Sequence, residues 1–111
     1  MQKLLNTVLS SLEAVQREFD EYQKANFSVR PPEFFSLELC GEAGELANDE
    51  KKIWKGREME FEKLCDEAAD VFIALMNYSN SRRIPIAESV ARKLEKIERI
   101  RLERAEQGKD Y

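Results

Sequence analysis

The 111-residue sequence contains no histidine and only two cysteines, which are not spaced as a CxxC pair. A Ser-His-Asp triad is therefore impossible, and a zinc site built from nitrogen and sulfur ligands is excluded. Apolar runs of membrane-spanning length are also missing, and the N-terminus lacks the apolar core and cleavage site of a signal peptide. We therefore expect a cytoplasmic protein that does not bind membranes.

Charged residues are abundant, but the net charge is only −4. Proteins that bind nucleic-acid polymers need a basic surplus to neutralise phosphates, so this balance argues against such a partner. Hydrophobic residues make up 42% of the chain and charged residues 36%, which is typical of a folded helical protein rather than a disordered one. The length fits one domain that spans residues 1–111 and has a modest core.

Apolar residues recur at steps of three and four along most of the chain, which indicates amphipathic helices. The pattern predicts four main helices, at about residues 3–25, 32–54, 60–81 and 86–105. No segment shows the alternating pattern of a strand, so the predicted fold is all-α and similar to a four-helix bundle. Asp70 is the only polar residue in the segment 68–76, so the third helix is apolar nearly all round. Because three flanking helices do not cover so broad a surface, we expect dimerisation to complete the bundle.

Acidic residues interrupt the apolar faces of the second and third predicted helices at the same spacing. Glu42 and Glu45 are three residues apart, and the next helix repeats the spacing with Glu67 and Asp70. Each pair lies on one side of its helix, and the short connection around Gly56 favours antiparallel packing that brings the pairs level. Four carboxylates in an apolar interior repel one another and are costly to desolvate. A divalent cation relieves both costs, and all-oxygen ligands favour Mg²⁺, or Mn²⁺; the alternative is a pair of ordinary solvated helix faces.

Two stretches, "GEAGEL" at 41–46 and "DEAADVFIAL" at 66–75, resemble the motif of the MazG-like all-α nucleoside triphosphate pyrophosphatases. That motif is E-E-x-x-E, a variable spacer, then E-x-x-D. Its second to fifth acids correspond here to Glu42, Glu45, Glu67 and Asp70. Gly41 stands where the family has its first acid, a form similar to the dCTP pyrophosphatase branch, and Glu38 lies one turn earlier.

The resemblance implies Mg²⁺-dependent hydrolysis of a (deoxy)nucleoside triphosphate to the monophosphate and pyrophosphate, as in nucleotide-pool house-cleaning. It assigns the metal ligands to the four motif acids, Glu42, Glu45, Glu67 and Asp70. Glu38 or Glu42, where ligation does not use it fully, would orient or deprotonate the attacking water. The base, the sugar, the number of metal ions and the question of whether Glu38 replaces the missing acid all stay open.

Cationic and aromatic side chains are the candidates for binding the substrate. The family often places a lysine and an arginine in its last helix, and the candidates here are Lys93, Lys96 and Arg99, with Lys55 near the interhelical break as another. Positive charge is needed because phosphoryl transfer develops charge on the phosphate oxygens. For the base, the candidates are Phe27 and Trp54, which offer stacking, and Asn77, which offers hydrogen bonds. Each has an ordinary alternative: a solvated face for the cations and packing for the aromatic residues.

Two other functions fit parts of the sequence. A catalytically silent helical interaction module would keep the fold and use the acids structurally, and the missing first acid slightly favours it. A carboxylate-bridged di-metal oxidase needs Glu-x-x-His ligands, which a chain without histidine does not supply. The expected partners are a nucleoside triphosphate and further copies of the chain, as a homodimer or a homotetramer.

Overall fold

Helices form most of the backbone in the computed structural model, which describes residues 1–110. In chain order they are α1 (Gln2–Thr7), a π-helical turn (Val8–Leu12), α2 (Glu13–Asn26), α3 (Pro32–Trp54), α4 (Phe61–Ser81) and α5 (Ile86–Glu106). The part of the chain that the structure describes contains no strand, so the all-α prediction is confirmed. The first predicted helix is realised as three consecutive helical segments, and Tyr111, the last residue of the predicted domain, lies outside the described residues.

The breaks between the helices follow the expected backbone chemistry. Pro31 is extended and Pro32 opens α3, where a missing amide proton leaves no hydrogen bond unmade. At the other end, Gly56 adopts a φ of 87°, which a residue with a side chain rarely reaches. Its N–H donates to Ile53 O at 2.9 Å, and the N–H of Arg57 donates to Lys52 O at 3.0 Å. These two bonds close α3 where the sequence predicts its end.

The chain divides into two compact units, and the first comprises Met1–Glu18 with the segment from Ile84 onward. In this unit α5 packs against the π-helical turn. The amide of Gln16 joins the start of α5 to α2: its Nε2 donates to Ile84 O at 2.7 Å, and its Oε1 accepts from the Ile86 N–H at 3.0 Å. The second of these bonds satisfies one of the unpaired donors at a helix N-terminus.

The second unit, Phe19–Arg83, is built on a hairpin of α3 and α4. The short connection between these helices makes them antiparallel, and Phe35 of α3 and Ala74 and Met76 of α4 are buried. The rings of Phe19 and Phe72 lie 6.0 Å apart, so α2 contacts the hairpin within this unit. Between residues 1 and 110, no helix has the length and apolar character needed to cross a membrane.

Candidate active site

Four carboxylates form a stripe along α3. Glu38, Glu42, Glu45 and Asp49 follow one another at steps of four, three and four residues. At 100° per residue these steps keep the four side chains within about 60° of one another on the helix surface. The stripe borders the apolar positions that face α4, and α4 carries Glu67 and Asp70 on the matching side. The two predicted pairs therefore meet along one edge of the hairpin.

The first meeting point is between Glu42 and Asp70. Glu42 is half-buried, and desolvation raises the pKa of its carboxyl group. The negative charges of Asp70, Glu45 and Glu38 act in the same direction, as does a hydrogen bond with Asp70. Glu42 and Asp70 thus approach one another across the hairpin, and Glu38 and Glu45 are close enough to act on Glu42 electrostatically. Asp70 and Glu45 are exposed, so the expectation that all four motif acids lie in an apolar interior is wrong: they lie at the edge of the hairpin, where solvent reaches them.

The second meeting point, between Asp49 and Glu67, lies deeper in the hairpin. Asp49 is 2% exposed and Glu67 is 7% exposed. A hydrogen bond between the two carboxyl groups raises the pKa of Glu67 and lowers that of Asp49. Lys63 contributes to the lower pKa of Asp49, because its Nζ lies 3.4 Å from both Asp49 oxygens. The same Nζ lies 3.8 Å from Glu67 Oε1, and Lys52 Nζ lies 4.0 Å from Asp49 Oδ1.

The donor chemistry of this region fits a divalent cation. When both carboxyl groups are ionised, Asp49 Oδ2 and Glu67 Oε2 are buried without a hydrogen bond. Buried oxygens of this kind need a shared proton or a cation. The region offers oxygen ligands alone, which suits Mg²⁺. Within residues 1–110, however, no three acidic or cysteine side chains surround a common point at which a metal ion could be held.

A groove begins next to the acid stripe and runs along the hairpin toward the start of α3. Its two connected parts have volumes of about 410 and 270 Å³. Glu38 lines the part nearer the acids, whereas Arg83 lines the other part. Both parts share six lining residues: Gln23, Phe27, Ser28, Arg30, Phe35 and Asn77. The groove therefore combines aromatic rings with amide groups and an arginine, and it contains two of the predicted base-binding residues.

Within the unit that holds the acids, the predicted substrate-binding residue Trp54 is not brought to them. Trp54 is 85% exposed, and the five residues that separate it from Asp49 place it about 140° away around α3. Lys55 follows Trp54 at the exposed end of the helix. The three candidates of the last helix, Lys93, Lys96 and Arg99, are exposed on α5 in the other unit. Their contribution to substrate binding stays a prediction.

The structure adds residues that the sequence reasoning missed. Asp49 continues the stripe four residues after Glu45, so the spacing predicts the side of α3 on which it lies but not its burial. Lys63 lies four residues before Glu67, on the same side of α4. Gln23 and Arg30 reach the groove from α2 and the connection after it, and Arg30 lies 4.9 Å above the Phe34 ring. No local pattern marks these two residues, because only the tertiary packing brings them to the hairpin.

Comparison with known proteins adds no relative: no family model, no curated protein and no solved structure matches the chain.

Proposed function

We propose that the chain is a MazG-like enzyme of all-α fold, and in particular an Mg²⁺-dependent pyrophosphohydrolase that converts a nucleoside triphosphate to the monophosphate and pyrophosphate. One observation carries the proposal: carboxylates of α3 and α4 approach one another at the hairpin edge, beside a groove lined by aromatic and amide side chains. Such a juxtaposition suits a substrate with a triphosphate at one end and an aromatic base at the other.

The residues of the chain fit the chemistry of this reaction. Glu42, Glu45, Glu67 and Asp70 would hold Mg²⁺, which when bound neutralises phosphate charge and makes water more acidic. Glu38 lies where the groove adjoins the acid stripe, so its carboxylate can orient a water toward the α-phosphorus. Glu42, where ligation does not use it fully, is the alternative group for orienting or deprotonating this water. The water oxygen bonds to the α-phosphorus and its proton passes to Glu38 or Glu42, while the bond to the bridging oxygen breaks and pyrophosphate leaves.

The groove supports the assignment of the base-binding end. Phe27 lines both of its parts and remains more than half exposed, so one face of its ring is free to stack on a base. Asn77 lines both parts as well, and it lies seven residues after Asp70 on α4, about 10.5 Å along the helix. That separation suits a nucleotide whose phosphates lie at the acids and whose base lies at Asn77.

We further propose that the hairpin is completed by a second copy of the chain, as in a MazG-like bundle. The side of the hairpin away from the acids carries an exposed apolar surface, the hairpin face. By helical periodicity its members are Ala43, Ala47, Trp54, Phe61, Cys65, Ala68 and Phe72, all of them exposed. Its three aromatic residues alone expose roughly 400 Å², which is large for a surface that stays in water.

The size and shape of the hairpin face favour a copy of the same chain as its partner. A standard interface buries about 800 Å² per partner, about two-thirds of it apolar in homodimers, so the aromatic residues and the small residues between them supply the required area. The face carries small residues, such as Ala43 and Ala47, beside bulky aromatic ones, such as Phe72. A two-fold axis can therefore bring a bulky side chain of one copy onto small residues of the other.

The test of the enzymatic function is product analysis with magnesium and a panel of standard and modified nucleoside triphosphates. We expect pyrophosphate and monophosphate in equal amounts for at least one of them. Asp70→Asn should abolish turnover, whereas Asp66→Asn, the same change at an exposed position of α4, should not. Orthophosphate as the product would overturn the proposed reaction. No turnover across the panel would overturn it as well and would favour the silent interaction module.

A further inference from the structure

Asp49 is the most buried carboxylate in the described chain, yet the family motif gives it no role. A buried charge is retained only where partners compensate for it, and replacing such a group with an apolar residue is often neutral or stabilising. Asp49 therefore calls for an explanation other than stability. Its contacts point to Glu67, the most buried of the four motif acids.

Glu67 is held from two directions. Asp49 of α3 faces its carboxyl group across the hairpin, and Lys63 lies one turn earlier on its own helix. Lys63 also joins the two carboxyl groups, since its Nζ is 3.4 Å from both Asp49 oxygens and 3.8 Å from Glu67 Oε1. The three side chains thus form one connected group, and Glu67 loses much of its rotational freedom within it.

We propose that Asp49, together with Lys63, is a positioning pair that fixes the Glu67 carboxylate for binding the divalent cation, an inference that rests on the proposed function. Asp49 itself is too enclosed to be a ligand, because it is 2% exposed and both of its oxygens lie against Lys63. Carboxylates that bind metals are commonly oriented by such outer groups, whose loss weakens metal binding about 10- to 100-fold.

Asp49 and Lys63 carry opposite charges, and this determines which variants can test the proposal. Replacing Asp49 alone would remove a negative charge near the cation and leave Lys63 uncompensated, so electrostatics would change together with position. Two double variants avoid this, because each removes one charge of either sign. Asp49→Asn with Lys63→Gln keeps hydrogen-bonding groups that can hold Glu67, whereas Asp49→Ala with Lys63→Ala keeps none.

The measurement is the Mg²⁺ dissociation constant of each protein by calorimetry, with wild type first. We expect the alanine pair to bind Mg²⁺ about 10- to 100-fold more weakly than wild type, and the amide pair to stay within about threefold. At saturating Mg²⁺ the kcat of the alanine pair should recover, a response that a purely structural defect would not give. Alanine is the best helix former, so neither helix is weakened locally. Should the alanine pair nevertheless not fold, Asp49→Leu with Lys63→Leu replaces it, because leucine is also a good helix former and has no hydrogen-bonding group.

Equal Mg²⁺ affinity in the two double variants overturns the positioning role. Wild type that binds no Mg²⁺ overturns the proposed function as well, so the two failures are distinguishable.

Discussion

Replacing Phe61 with aspartate should separate the proposed dimer without unfolding the single chain. Phe61 is 78% exposed, so it makes few contacts inside one copy. For a phenylalanine this fraction corresponds to about 150 Å², and burying that area contributes up to about 4 kcal/mol per copy. A two-fold interface buries it twice. Because buried area converts only partly into affinity, we expect the dimer dissociation constant to rise at least about 100-fold.

Sedimentation equilibrium over a range of protein concentrations measures this change directly. The matched control is Leu102→Asp, which introduces the same charge at an exposed leucine of α5, outside the hairpin face. We expect the control to sediment like wild type. A wild type that is monomeric at every concentration, or a Phe61→Asp protein that stays as dimeric as wild type, would refute the assignment of this face.

Three further predictions concern the acids and the groove. Mg²⁺ at 100 times its dissociation constant should stabilise wild type by about 2.7 kcal/mol. For a chain of this length this corresponds to a rise of roughly 10 °C in Tm. Asp70→Asn should abolish this rise and leave the Tm without metal unchanged. Without metal, the stability that protonated Glu67 and Glu42 contribute is present at low pH and is lost as the pH rises through their raised pKa values. The stabilisation by Mg²⁺ should instead increase with pH, because ligation needs the ionised carboxylates. A Tm gain that is equal at pH 5 and pH 8 would contradict this linkage. Asn77→Ala should raise KM for the substrate at least about tenfold with less effect on kcat, whereas Asn48→Ala at an exposed position of α3 should leave both unchanged.

The parts of the structure that follow from local sequence were predictable. Gly56 and the prolines mark where helices end and begin, and the bounds of α3 and α4 lie within about one residue of those predicted. The approach of Glu42 to Asp70 was predictable for the same reason. It requires only a helical spacing of three residues and a short connection that forces antiparallel packing.

The remaining parts depend on contacts between distant segments. Asp49 lies in the polar run "NDEKK", which reads as a solvated helix end, and it becomes buried only because Lys63 and Glu67 of α4 pack over it. The groove likewise forms only because α2 and the connection after it lie against the hairpin. No periodicity in those residues predicts this packing. Trp54 is the opposite case: it is close to the acids in sequence, but it lies on a different side of α3 from them.

Unfavourable interactions in the hairpin are concentrated among the acids, which indicates that the acids are kept for a function. One edge of the α3–α4 interface packs apolar side chains, as a helix pair needs for stability. The other edge places carboxylates against one another, which raises the pKa of two of them and leaves buried oxygens without hydrogen bonds. Leucine or methionine at those positions would remove the repulsion at no cost in helix propensity. A chain under selection for stability alone has no reason to keep this edge, whereas the proposed Mg²⁺ would offset the repulsion by binding the motif acids, with Asp49 holding Glu67 in place.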